Sequence, residues 1–185
     1  QNSQAHEPLM PHDIPQRPWH TIATDLFHFE GEEYLLVADY YSKFPFVRKL
    51  TRPCTSAKLI RLTKQIFSEH GIPVKVISDN GRHFDSAAYR EFAEQWGFDH
   101  TTSSPRYPQS NGFIERMVET VKNSLGKALE AGTDLYLAML GLRSTPVDNI
   151  LPSPSELLNS RKLRTRLPGK IPNQNPNKDL VHDRL

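Results

Sequence analysis

Acidic residues in positions where acids are costly are the first candidates for chemistry in this sequence. Asp25 lies in a stretch of β-branched and aromatic residues that predicts a strand, where aspartate is depleted and a buried charge needs a partner. Asp79 ends a short apolar stretch in ISDNG, and Glu115 lies in the first turn of a long helical pattern. If the two strands are neighbours, Asp25 and Asp79 project side by side and Glu115 can face them.

The chemistry that such a group supports follows from its charge. Three carboxylates held close together repel one another strongly unless a cation lies among them. Hard oxygen ligands select Mg²⁺ or Mn²⁺, which keep several waters and accept phosphate oxygens as further ligands. Two such ions can stabilise the attacking and the leaving oxygens of an in-line phosphoryl displacement. The sequence therefore predicts a divalent-metal site formed by Asp25, Asp79 and Glu115.

Each acid also has an ordinary structural interpretation. Asp-Asn-Gly is common turn chemistry, which by itself would explain Asp79. Glu115 can simply complement the dipole at the start of its helix, an effect worth about 0.3–1 kcal/mol. Asp39 is a rival to Asp25 near the end of the next predicted strand, but an acid there can equally cap or turn the chain. We predict a structural role for Asp39.

Composition narrows the class of protein. A chain of 185 residues fits one domain of ordinary size plus tails. Its single cysteine, Cys54, excludes an internal disulfide framework and a multi-cysteine zinc site. No apolar run approaches the roughly 20 residues that a membrane-spanning helix needs, and no signal-peptide pattern opens the chain. We expect a soluble intracellular domain with no membrane partner and no small-molecule cofactor.

The charge is distributed unevenly along the chain. The formal net charge is only +2, which alone does not indicate a nucleic-acid partner. The stretch RKLRTRLPGK at 161–170, however, is rich in basic residues and contains no acid, and it begins with Arg161, Lys162 and Arg164. Such a run is either a solvated tail or a segment that binds a phosphate backbone.

The elements that must position the acids can be inferred from hydrophobic periodicity. The predicted order is three strands, a helix, a strand, a helix, a strand and two helices, covering residues 19–29, 34–41, 44–50, 55–70, 73–78, 86–96, 98–103, 111–130 and 133–144. Short links between the first three strands predict an antiparallel meander. This order predicts an α/β fold with a five-stranded mixed sheet flanked by helices.

Proline content marks the ends of the predicted core. Residues 1–18 lack apolar periodicity, and we interpret them as a linker. Residues 19–150 form the predicted catalytic core. Residues 151–185 form a predicted C-terminal extension that contains the basic run and a tail rich in proline and asparagine.

The acids and their flanking motifs together resemble a known family. Asp25 in ATDLF, Asp79 in ISDNG and Glu115 in SPRYPQSNGFIER, with thirty-five residues between the last two, look like the Asp-Asp-Glu core of retroviral and long-terminal-repeat retrotransposon integrases. Within these, the chain most resembles the gypsy group. The likeness continues through PHDIPQRPW, DYYSKF, RSTP and SPSELLNSRKLRTRLP, so it covers about 11–168.

The resemblance implies both a fold and an activity. It implies an RNase H-like fold, a two-metal site with Mg²⁺ or Mn²⁺, and 3′-end processing followed by strand transfer of element DNA into target DNA. This work would take place in the nucleus, or in the reverse-transcription particle before nuclear entry. The resemblance also implies a flanking His-His-Cys-Cys zinc domain and a C-terminal DNA- or chromatin-binding region. Neither is present in this chain, so we expect a core trimmed from a larger polyprotein or from a transposon-derived host gene.

Candidate DNA contacts lie around the helix that carries Glu115. At roughly 100° per residue, Glu119 and Lys122 lie within about 40° of Glu115 on that helix. Lys122 either contacts a phosphate or pairs with Glu119. Gln109 and Asn111, in the loop before the helix, are expected to close on a DNA end.

The resemblance also implies a homodimer or higher assembly, with exposed apolar positions on the helices at 86–96 or 133–144 as candidates for the interface. Two alternatives remain open at this point. The chain can be a domesticated, transposon-derived module that binds nucleic acid without integration activity. It can also be a nuclease of the same fold, such as a ribonuclease H. DNGRHF departs from the family pattern at Arg82 and His83, which leaves the local DNA contacts open.

Overall fold

The sheet at the centre of the protein has the predicted number of strands and the predicted pairing. The computed structural model describes residues 15–102 and 112–166. Its elements are β1 Thr21–Phe29, β2 Glu32–Asp39, β3 Pro45–Leu50, α1 Ser56–His70, β4 Lys75–Ser78, α2 Ala87–Trp96, β5 Asp99–Thr102, α3 Gly112–Ala131, α4 Leu135–Ser144 and α5 Pro154–Asn159. The strand order is β3-β2-β1-β4-β5.

The pairing directions confirm the mixed sheet. β1 pairs with β2 and β2 with β3 in antiparallel fashion, whereas β1 pairs with β4 and β4 with β5 in parallel. Pro45 opens β3, which is an edge strand, so its missing N–H does not interrupt a central ladder. The crossover from β3 to β4 through α1 brings β4 beside β1, which is the adjacency that the candidate site requires.

Two hydrophobic cores fill the two faces of the sheet. Successive side chains of a strand point to opposite faces, so Ile22 enters one core and Ala23 the other. The first core packs the sheet against α1 and α2 through residues such as Phe67 and Phe92. Burial of each large apolar side chain contributes about 1.5–3 kcal/mol. Asp25 lies two residues after Ala23 in β1, so its side chain points to the same face of the sheet, the face covered by α3.

The helix α3 covers the second face with a single apolar stripe. Its buried residues recur every three or four positions, as expected of a helix with one face on a core, and they are Ile114, Met117, Val121, Leu125 and Ala128. Because this stripe packs on β1 and β2, the first turn of α3 is held on the same face of the sheet as Asp25.

Asp39 has the structural role that the sequence predicted. Its carboxylate is completely buried and accepts hydrogen bonds from the backbone N–H of Trp19 at 3.0 Å and of Ser42 at 2.9 Å. These bonds tie the chain before β1 to the turn after β2. The predicted structural assignment is confirmed.

The short helix α5 lies within the predicted C-terminal extension. Ser153 caps it: the Ser153 hydroxyl accepts from the Glu156 N–H, and it donates to the Glu156 carboxylate at 2.9 Å. Residues 153–155 are buried, and α5 packs against α4. The SPSE stretch has the Ser-x-x-Glu signature of a helix N-terminus, which sequence reasoning did not use. Within the described ranges, no helix is both long and apolar enough to cross a membrane.

Candidate active site

The parallel pairing of β1 and β4 brings two of the candidate acids together. Ala23 of β1 is paired with Ile77 of β4. Because the two strands run in parallel, Asp25 and Asp79, each two residues further on, are neighbours just after β4 ends. Both side chains line the same small cavity, and the charge of Asp79 raises the pKa of Asp25. The predicted adjacency of Asp25 and Asp79 is therefore present in the fold.

The surroundings of Asp25 make its negative charge costly. Burial is the largest influence and raises its pKa. The Leu26 N–H, which donates to the Asp25 carboxylate at 2.8 Å, lowers the pKa, while the charges of Asp79 and Glu115 raise it. The net result is a pKa of about 6, well above the usual 3.8. At neutral pH the site therefore holds mutually repelling carboxylates that a cation would stabilise.

Asp79 is held in place by the turn chemistry of its own motif. Its Oδ1 accepts a hydrogen bond from the Gly81 N–H at 2.8 Å. A Cβ added at Gly81 would lie only 2.9 Å from the same oxygen, so an alanine here would push the Asp79 carboxylate aside. Asp79 can therefore both form this turn and serve as a candidate metal ligand, because the turn holds its carboxylate in one orientation beside Asp25.

We expect Gly81→Ala to reduce catalysis without unfolding the domain. The added methyl group must displace the Asp79 carboxylate, and a shift of about 1 Å at a reacting centre can cost on the order of 100-fold in rate. Gly126→Ala is the matched control, because nothing lies within 4 Å of its added Cβ. Turnover of both variants on a DNA substrate checks this, and equal rates would show that the Asp79 orientation is unimportant.

Glu115 lies near the Asp25–Asp79 pair. It lies in the first turn of α3 with an exposed side chain, and its charge reaches Asp25. Within residues 15–102 and 112–166, no three histidine, cysteine or acidic side chains are grouped as a metal site requires. The structure thus brings Asp25 and Asp79 together, and the role of Glu115 as a ligand stays a prediction.

The oxygen ligands that Asp25 and Asp79 offer suit a divalent cation. Asp25 and Asp79 offer carboxylate oxygens only, which is ligand chemistry that suits Mg²⁺ and Mn²⁺. The raised pKa of Asp25 reflects uncompensated negative charge as well as burial. Two half-buried carboxylates of this kind fit a hard divalent cation.

A small polar cavity of about 240 Å³ adjoins the pair. Besides Asp25 and Asp79 it is lined by Glu33, Arg82 and His83. His83 is tied to the start of α1 by a 3.1 Å hydrogen bond between its Nδ1 and the Ser56 hydroxyl. Sequence reasoning did not single out Glu33, which lies near the start of β2.

The predicted DNA contacts are distributed over separate surfaces. Glu119 and Lys122 are both exposed on α3, and in the described part of the chain no ion pair joins them. Three further predicted contacts are exposed after α5, namely Arg161, Lys162 and Arg164. Gln109 and Asn111 lie outside the described residues.

Comparison with known proteins shows which family and which relatives the chain is similar to. A family model described as the integrase core domain matches residues 15–108, which is just over half of the chain and includes Asp25 and Asp79. An uncharacterised protein of Caenorhabditis elegans is 36% identical over 166 residues, covering 86% of this chain and 13% of the relative. Other relatives are polyproteins of mouse mammary tumor virus and of a Schizosaccharomyces pombe transposon. The chain spans only 7–13% of the length of these relatives.

Solved structures with the same fold come from retroviruses. An intasome of simian T-cell lymphotropic virus in complex with the PP2A regulatory subunit B56 gamma matches with a TM-score of 0.75 and 22% identity, over 95% of this chain and 65% of that one. The HTLV-2 integrase catalytic core domain in complex with magnesium matches with a TM-score of 0.62 and 24% identity, over 77% of this chain and 97% of that one. These likenesses confirm the RNase H-like fold. Together with the family match, they show that the chain belongs to the integrase core domain family.

Proposed function

We propose that this domain cuts and joins DNA by metal-dependent polynucleotidyl transfer, comprising 3′-end processing and strand transfer of element DNA into target DNA. The observation that carries the proposal is the Asp25–Asp79 pair on adjacent parallel strands, with the pKa of Asp25 raised to about 6. Such perturbed, paired carboxylates are typical of functional sites. The proposed place of action is the nucleus, or the reverse-transcription particle before nuclear entry.

We propose that Asp25 and Asp79 hold divalent cations, two Mg²⁺ or Mn²⁺ ions, with Glu115 as a further ligand. Bound cations of this kind activate an attacking hydroxyl and stabilise the charge of the leaving oxygen. Asp25 binds a cation in its ionised form, so protons compete with the cation for it as the pH falls. Asp79 is oriented by Gly81, and Glu115 reaches the pair when DNA closes the first turn of α3 onto the site.

The exposed face of α3 is the proposed DNA-binding surface next to the site. Lys122 lies almost directly along the helix from Glu115, and it makes no ion pair with Glu119 in the described part of the chain. A phosphate contact is thus favoured over a surface ion pair. We propose that Gln109, Asn111, Arg161, Lys162 and Arg164 extend the contact with DNA.

Lys122→Ala is expected to weaken DNA binding for all sequences alike. Loss of one phosphate contact removes about one released counterion, so the slope of log K against log salt should fall by roughly one unit. Lys127→Ala is the control, because it removes an exposed lysine of the same helix about 120° away from Glu115. Fluorescence anisotropy over a salt series measures both slopes, and an unchanged slope for Lys122→Ala would remove it from the DNA surface.

We propose that the domain assembles as a homodimer or larger oligomer through α4. Tyr136 and Leu137 are large apolar residues exposed on this helix. The other candidate helix, α2, has no such residue in the described chain. Integration joins two DNA ends, and one site can serve only one of them. Sedimentation that detects only monomer at high concentration would contradict this assembly.

The experiment that tests the proposed function is a disintegration assay on a branched DNA substrate with Mn²⁺. We expect the core to carry out this reaction without the flanking modules. We expect joined product from the wild-type chain and none from Asp25→Asn. DNA binding without product in Mn²⁺ or Mg²⁺ would instead support the alternative, a domesticated nucleic-acid-binding module that lacks integration activity.

A further inference from the structure

A hydrogen-bonded serine and histidine lie directly behind Asp79, at the end of β4. The Ser78 hydroxyl donates to the backbone carbonyl oxygen of Asp79 at 2.9 Å, and its oxygen lies 2.7 Å from Nε2 of His100 in β5. A hydroxyl has one hydrogen, so with that hydrogen on the Asp79 carbonyl the Nε2–H of His100 is the donor to Ser78. A side chain of β5 is thereby linked to the main chain of a candidate metal ligand.

The sheet places Ser78 and His100 on the face away from the candidate site. β4 and β5 run in parallel with Val76 opposite His100, so His100 and Ser78, two residues after Val76, point to the same face. Val76 belongs to the core under α1 and α2, whereas Asp25 points to the face covered by α3. Ser78 and His100 are not among the described residues that line the cavity beside Asp25 and Asp79. They therefore contact Asp79 from behind.

Both partners of this hydrogen bond are shielded from water. Ser78 is completely buried, and the His100 ring packs on the ring of Tyr89 in α2, with 4.7 Å between the ring centroids. Burial lowers the pKa of His100 more than the charge of Asp85 raises it, so the ring is neutral at neutral pH. A buried hydrogen bond of this kind is costly to break, because the group left without a partner cannot regain its hydration.

Two hydrogen bonds on Asp79 together determine where its carboxylate lies. Ser78 holds the carbonyl oxygen of Asp79, and the Gly81 N–H holds its Oδ1. The carbonyl belongs to the planar peptide unit that leads from Asp79 toward Gly81. If that unit rotated, the Gly81 N–H would move and the carboxylate would lose its anchor. The orientation of the Ser78 hydroxyl therefore affects the carboxylate through the turn.

We propose that Ser78 and His100 are positioning residues for the metal site: His100 orients the Ser78 hydroxyl, which holds the main chain of Asp79 so that its carboxylate stays beside Asp25. Partners that orient a metal ligand from behind typically change metal affinity or activity by about 10–100-fold when they are lost. The inference rests on the proposed function, in which Asp79 is a metal ligand. The alternative is that the two residues only tie β4 to β5, in which case their loss would change stability alone.

Substitutions at His100 separate the hydrogen bond from the packing. His100→Gln places a neutral N–H donor near the position of Nε2, whereas His100→Leu fills the space without a donor. Ser78→Ala removes the hydroxyl on the other side of the bond. Tyr89→Phe is the control, because it keeps the ring beside His100 and removes only a buried hydroxyl that has no hydrogen-bond partner in the described part of the chain. Circular dichroism checks that each variant is folded.

The first readout needs neither metal nor DNA. In proton–nitrogen correlation spectra of the metal-free protein, the Gly81 amide reports its hydrogen bond to the Asp79 carboxylate. We expect its proton resonance to move upfield in His100→Leu and Ser78→Ala, and to keep the wild-type position in His100→Gln and Tyr89→Phe. Equal shifts in His100→Gln and His100→Leu, or an unmoved resonance in folded Ser78→Ala, would overturn the proposal.

The second readout is turnover in the disintegration assay with Mn²⁺. In His100→Leu and in Ser78→Ala, kcat should fall about tenfold with the KM for DNA unchanged, because neither residue reaches the cavity. The double variant should lose no more than Ser78→Ala alone, because both substitutions break the same hydrogen bond. Losses that multiply in the double variant, or a raised KM with normal kcat, would contradict a positioning role.

The two readouts distinguish this inference from the proposed function. A donor-dependent shift of the Gly81 resonance in a chain that makes no disintegration product would support the role of Ser78 and His100 and count against the enzymatic proposal. An active chain in which His100→Leu keeps both the wild-type Gly81 resonance and the wild-type kcat would refute only the positioning role.

Discussion

Asp25→Asn is expected to abolish strand transfer and, at neutral pH, to make the domain more stable. The amide cannot carry the negative charge that a divalent cation needs, so activity should fall by at least about 1,000-fold. Stability should rise because the amide no longer carries a charge that is half-buried beside other acids. Its Oδ1 can still accept the Leu26 N–H, so the local hydrogen bond is retained.

The sign of the pH effect follows from the shifted pKa. The pKa of Asp25 is raised to about 6 in the folded protein from 3.8, so the folded state holds this proton more tightly than the unfolded state. Its contribution to stability is complete below about pH 4 and is lost as the pH rises through 6. Since Asp25 is only half-buried and solvent screens its charge, we expect a loss of about 1–2 kcal/mol in the wild type.

Urea denaturation without divalent metal measures this effect at pH 4.5 and pH 7.5. At pH 7.5 the free energy of unfolding of Asp25→Asn should exceed that of the wild type. At pH 4.5 the difference between the two should be smaller. Asp99→Asn, at an exposed position of β5, is the control and should change neither stability nor turnover. Full residual turnover of Asp25→Asn would refute its role, and identical pH profiles would refute the account of its burial.

Glu115→Gln is expected to abolish activity while leaving stability unchanged. The Glu115 side chain is exposed, and in the described part of the chain it does not belong to a group of three or more potential metal ligands. Its loss should therefore change the free energy of unfolding by less than about 0.5 kcal/mol. Activity should nevertheless fall by about 100-fold or more, because the proposal requires Glu115 to reach the metal site once DNA is bound.

Calorimetric titration with Mn²⁺ tests whether Glu115 contributes to metal binding only when DNA is bound. In the absence of DNA, the variant should bind Mn²⁺ as the wild type does, since Asp25 and Asp79 are intact. With DNA present, its affinity should be weaker than that of the wild type. Glu130→Gln, another exposed acid of α3, serves as the control. Normal turnover by Glu115→Gln would exclude it from the catalytic group.

Much of the fold was predictable because it depends on local periodicity. The apolar runs of β1 and β2 and the stripe of α3 each bury a face, and such patterns fix an element whatever its neighbours are. The motif spacing then identified Asp25 and Asp79. The likeness to the gypsy group in particular, by contrast, stays a prediction.

The features that sequence reasoning missed arise from packing between distant segments. Glu33 borders the site only because β2 and the turn after β4 meet there. A larger groove, of about 650 Å³ between α3 and α4, likewise combines residues from the start of β3 with two helices and the segment after α4. Nothing in the local pattern of any one segment signals such a cavity. Whether Glu115 coordinates also escapes sequence reasoning, because it depends on where the first turn of α3 lies relative to Asp25.

The most direct test of the central claim is anomalous X-ray diffraction from crystals of this chain grown with Mn²⁺ at a pH above 7. The account predicts an anomalous peak between the carboxylates of Asp25 and Asp79, at the roughly 2.0–2.6 Å oxygen distances of a hard cation, and no peak there in Asp25→Asn crystals. A wild-type crystal with Mn²⁺ bound elsewhere, or with no density between these two carboxylates, would contradict it.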